Sequence, residues 1–74
     1  MTMTERMQRL TALRQERAAK WDTARTFLDS KTHNGRMSEA DAAAYETMEK
    51  ELTDLGNDIA RLERANELEA AMNA

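Results

Sequence analysis

Tyr45, Met48, Leu52, Leu55, Ile59 and Leu62 recur at gaps of three, four, three, four and three residues, and the rhythm reaches Asn66. A helix that keeps this a/d period carries one narrow apolar stripe, and the stripe has to lie against another helix. The partner is sought first upstream, in residues 3–31, where the text is again helical. It is rich in Ala, Arg, Glu, Leu, Met and Thr and contains neither Pro nor Gly.

Between the two lies Lys31-Thr32-His33-Asn34-Gly35-Arg36-Met37-Ser38, the one polar stretch that breaks the periodicity. Asn34-Gly35 accepts the positive φ that ends a helix. Ser38, with Asp41 three residues on, resembles a capping box, and Glu39 suits the N-terminal dipole. The expectation is an all-α chain: a helix over residues 3–31, a turn over 32–37 and a helix over 38–72. At 1.5 Å per residue each arm is about 40–50 Å long.

Charge sets how the arms meet. Residues 1–31 carry seven Lys/Arg against four Asp/Glu, whereas residues 38–74 carry three against ten, so the arms differ as +3 and −7. A basic arm and an acidic arm on a short turn favour an antiparallel two-helix, coiled-coil-like hairpin. A parallel homodimer of the second helix would instead set Asp58 of one chain against Glu63 of the other. In the hairpin Trp21 is expected to face Met48, Leu10 to face Ile59, Met7 to face Leu62, and Leu13 to lie over Gly56. A glycine inside a helix costs on the order of 1 kcal/mol, and close approach of Leu13 would account for it. Arg17 interrupts the first helix's stripe opposite Leu52, where its stem can cover the leucine while the guanidinium reaches an acid such as Glu51. The expected seam is Leu10, Trp21, Met48, Leu52, Leu55, Ile59 and Leu62. One seam is thin support for 74 residues. Phe27, Leu68 and Met72 fall off the stripe, the last two beyond the start of the first helix, and are the expected contacts between chains in an oligomeric helical bundle.

Other chemistries fit poorly. Without cysteine, disulfides and zinc-thiolate sites are excluded. The turn can be aligned with a calcium loop through Ser30, Thr32, Asn34, Met37 and Asp41, but it offers a single carboxylate where a working loop wants Asp first and a bidentate Glu last. His33 stands alone. The cations Arg6, Arg9, Arg14, Arg17, Lys20 and Arg25 alternate with Glu5, Glu16 and Asp22 without an aromatic platform, which favours a solvated face over a phosphate-binding strip. The six Met residues read as adaptable interface filler, and Asn66 as a register-setting core polar residue. No apolar run approaches the ~20 residues needed to cross a bilayer. The expectation is therefore a non-enzymatic protein with no cofactor or metal, and with no nucleic acid, membrane or small molecule as partner.

One resemblance sharpens this. Lys20-Trp21-Asp22-Thr23-Ala24-Arg25-Thr26-Phe27-Leu28-Asp29, then Asn34-Gly35-Arg36-Met37-Ser38-Glu39-Ala40-Asp41, Tyr45-Glu46-Thr47-Met48-Glu49, and Leu55-Gly56-Asn57-Asp58-Ile59-Ala60-Arg61-Leu62-Glu63-Arg64 together resemble the N-terminal segment of tailed-phage major capsid proteins of the Hong Kong 97 type. The resemblance covers nearly all of the chain from about Leu10. In that family the segment, often called the delta domain, is a built-in scaffold for procapsid assembly and in many members is removed by a phage protease. It implies a segment of a longer capsid protein, since family members continue for several hundred residues beyond the point matching Ala74. It also implies neighbouring capsid subunits as partners and a place in the bacterial host cytoplasm and then the procapsid or virion. The bare Leu68 and Met72 and the thin seam lead to the expectation of a dimer or tetramer. A small antiparallel coiled-coil adaptor or regulator that binds another protein is the alternative the residues leave open.

Overall fold

Thr2 opens the first helix. In the computed structural model, which describes residues 1–73, its Oγ1 accepts from the Glu5 N–H at 3.1 Å, while Glu5 Oε1 accepts from the Thr2 N–H at 3.0 Å. This reciprocal capping box satisfies two backbone donors and starts α1, Met3–Lys31. The Thr2 backbone and hydroxyl hydrogen bonds hold the Glu5 carboxyl below its ordinary value.

Asn34-Gly35 does not cap α1, as the sequence suggested. Thr32 does, in extended conformation, with both its N–H (3.0 Å) and its hydroxyl (2.6 Å) donating to the Leu28 carbonyl. Asn34 and Gly35, at φ of 54° and 76°, form a separate reverse turn. Around it His33 and Arg36 exchange both backbone hydrogen bonds, His33 N–H to Arg36 O at 2.8 Å and Arg36 N–H to His33 O at 3.1 Å. Two successive positive φ values are what a tight two-residue connection needs, and Asn-Gly supplies them at the smallest steric cost. Ser38 then caps α2, Glu39–Met72, by accepting from the Asp41 N–H at 3.1 Å.

The two helices pack antiparallel along a rod of 55 × 17 × 15 Å. The core is small: Leu10, Leu13, Leu55 and Ile59 are buried together, Leu62 packs against them, and Ala24 is buried completely nearer the turn.

Register is where the structure departs from the sequence reading. Arg17, not Leu13, lies over Gly56: a Cβ added there would stand 3.4 Å from the Arg17 guanidinium. Leu10 and Ile59 share the buried cluster as expected, while Trp21 is 45% exposed and does not close over Met48. The cause is legible in α1. Arg6, Leu10, Leu13, Arg17, Lys20 and Ala24 are spaced four, three, four, three and four residues apart, the same heptad rhythm as α2, but half the positions are cationic. A search for apolar periodicity passes over such a stripe.

Candidate assembly surface

Two of the three cations on this stripe, Arg6 and Lys20, act as cross-links. Arg6 is the most buried of the ion-pairing groups, its side chain 15% exposed. It donates to Asn66 Oδ1 at 2.9 Å, to Glu69 Oε1 at 3.0 Å and to the Met1 carbonyl at 3.0 Å. Two acceptors on α2, in a fixed fork geometry, tie the helices together, and the third is at Arg6's own N-terminal end. Asn66 therefore serves inside the chain, as Arg6's partner. Lys20 donates to Glu51 at 2.9 Å, and this hydrogen bond with the carboxylate charge raises the Lys20 pKa. Arg14 and Glu63 pair at 3.2 Å on the flank of the seam. Arg17 makes no ion pair with any described residue, the expected reach to Glu51 being taken by Lys20, and its guanidinium rests over the bare Cα of Gly56.

The expected seam residues separate into three groups. Leu10, Leu55 and Ile59 are buried, and Met48, Leu52 and Leu62 are half-buried. Trp21 is 45% exposed and does not enter the seam. The reason is the register: Lys20 and Ala24 occupy the inward positions, which turns Trp21 outward by one residue. Leu13 and Ala24, outside the expected set, are among the most buried side chains. The signal for them was the heptad spacing of α1 counted through its cations.

Of the residues expected to meet other chains, Phe27 is half-buried, Leu68 is 47% exposed and Met72 is 80% exposed. The reason given for Leu68 needs correcting. Arg6 reaches Glu69, so the first turn of α1 runs beside Leu68 and the chain does not run out before it. Leu68 is exposed because it sits off the a/d positions of α2.

Trp21 lines a groove of 580 Å³ with Arg14, Arg17, Ala18, Leu52, Ile59 and Glu63. A second hollow of 290 Å³ is lined by residues that include Met3, Met7, Leu10 and Glu67. Both share Arg14 and Glu63, so that ion pair is the bridge between them and the two hollows lie on one face of the hairpin.

The turn is occupied by its own capping: the hydroxyls of Ser30 and Thr32 donate to the carbonyls of Phe27 and Leu28, and Ser38 holds Asp41. Among the described residues no three His, Cys, Asp or Glu side chains cluster as a metal site, and no helix is long and apolar enough to cross a membrane. Comparisons with protein-family models, curated proteins and solved structures gave no match to this chain.

Proposed function

We propose that this hairpin is a non-enzymatic assembly segment that acts by self-association, in the manner of the scaffolding segment of a phage or prophage major capsid protein. The observation that carries the reading is apolar exposure on a rod with a very small core. Trp21, Met7, Leu68 and Met72 present 45 to 80% of their surface, while only five hydrophobic residues are buried. Trp21 and Met7 line adjoining hollows on one face, and an apolar patch of that kind is characteristic of surfaces that meet other chains. The mechanism is weak helix–helix association between neighbouring subunits, which raises their effective concentration and orients what each hairpin is attached to. Its partners are further copies of itself and neighbouring capsid subunits, in the host cytoplasm during assembly and in the procapsid or virion.

The test is to express the complete reading frame that contains residues 1–74, with and without them. The reading expects a shell-forming domain downstream and closed procapsids only when the hairpin is present. A frame without such a domain, or shells that close equally well without the hairpin, would overturn it and favour the adaptor.

A further inference from the structure

The structure leaves open which face of the hairpin meets another copy and in what orientation, and three independent observations converge on one answer. The first is surface area. A compact monomer of 8.4 kDa exposes about 4,600 Å². This chain exposes 5575 Å². The excess, roughly 1,000 Å², comes with the elongated 55 × 17 × 15 Å shape, and packing a second rod alongside is the direct way to reduce it.

The second is the groove. The exposed Trp21, the half-buried Leu52 and the Met3–Met7 hollow lie on one face, on either side of the Arg14–Glu63 pair. Leu68 and Met72 line neither hollow.

The third is charge, which selects the symmetry. A two-fold axis across the rod would stack α1 on α1 and α2 on α2, setting the +3 arms together and the −7 arms together. A two-fold axis along the rod sets each basic α1 on the acidic α2 of the other copy, with every neighbouring pair antiparallel. Charges are available on both sides of such a contact. Arg17 on α1 and Glu67 on α2 both line this face without an ion-pair partner among the described residues. They lie about 16 Å apart along the rod and do not pair with each other across this axis, so the choice of symmetry rests on the net charges of the arms.

We infer that a second copy of this chain docks on the Trp21 groove by a two-fold axis parallel to the rod, giving a four-helix bundle with alternating basic and acidic helices. Both turns lie at one end of that bundle and both C-terminal ends at the other. Leu68 and Met72 remain outside this interface, available for contacts between dimers. The inference rests on the self-association proposed above and adds to it a face, a symmetry and a polarity.

The chain has no cysteine, so a single spin label can be placed through Lys31→Cys, an exposed position at the turn end of α1. The label-to-label distance by pulsed electron resonance is expected to be about two hairpin widths, given cross-sections of 17 × 15 Å. Trp21 is the sole tryptophan, and its emission should move to the blue as concentration rises. A distance close to the 55 Å length of the rod places the turns at opposite ends and overturns the symmetry while leaving self-association intact. An oligomer whose Trp21 emission does not change on dilution overturns the choice of face. A chain that gives no intermolecular distance and sediments as a monomer overturns both this inference and the assembly reading.

Discussion

The half of the hairpin remote from the turn and the half beside it are held together differently. The remote half contains Leu10, Leu13, Leu55 and Ile59, the whole of the buried leucine and isoleucine core, and is closed by the Arg6 fork to Asn66 and Glu69. Beside the turn only Ala24 is buried, Met48 and Leu52 are half-covered and Trp21 faces out. The connection explains the asymmetry. Asn34-Gly35 and its paired His33 and Arg36 fix the helix ends near each other covalently, so that end has little loop entropy left to overcome. The far ends have no such tether and need packing and a directional polar clamp. The half that the turn secures can therefore leave its tryptophan bare.

If that division of labour is correct, truncations should differ sharply between the halves. Leu13→Ala removes a side chain that is 3% exposed and should cost about 2–5 kcal/mol in chemical denaturation. Met48→Ala, in the turn half, should cost about 1 kcal/mol. Equal losses at the two positions would dissolve the contrast.

Arg6→Ala comes next. It strands Asn66 and Glu69 at the untethered end, and about 1–3 kcal/mol is expected, toward the lower value because Glu69 is partly exposed and water can replace part of what it loses. Amide exchange should speed up in residues 3–9 and 66–72 while the turn half keeps its protection. Uniform acceleration along the rod would mean that the clamp is not local.

Gly56→Ala sharpens the comparison by running the other way. The nearest neighbour of the added methyl is the movable tip of Arg17, at 3.4 Å, and helix propensity favours alanine by about 1 kcal/mol. A gain of that order is expected in thermal denaturation at a concentration where the chain is monomeric. A loss would show that the guanidinium seat over Gly56 matters more than helix propensity. At the small end, Lys50→Ala removes only an exposed pair with Asp54 and should change stability by less than about 0.5 kcal/mol.

How far the sequence reveals this molecule follows from which helix is read. In α2 the stripe from Tyr45 to Leu62 is apolar throughout, and both its helical state and its inward face follow from spacing alone. The break near Asn34-Gly35 and the Ser38 cap of α2 were legible, because those residues have narrow backbone chemistry, but the cap of α1 is Thr32, which the sequence did not single out. The register was not legible either. In α1 the seam is shared between Leu10, Leu13 and Ala24 and the cations Arg6, Arg17 and Lys20. Aligning hydrophobic residues alone draws Trp21 inward, whereas it is 45% exposed. Long cationic side chains lay their stems along a seam and carry their charge out to acids on the opposite helix, so a heptad can persist through them. Counting α1 by spacing rather than by hydropathy would have placed Leu13 and Ala24 inward and Trp21 outward. The candidate surface was legible only in part: Leu68 and Met72 were off-stripe by inspection, but the bareness of Trp21 depends on the register.

The central claim, that the hairpin is built to associate with its own kind, is tested most directly by sedimentation of the wild-type chain across a dilution series from high to low micromolar concentration. The account predicts a dimer or tetramer at the upper end that dissociates on dilution, with a melting temperature that falls in step. A chain that remains a folded monomer at every concentration would contradict it.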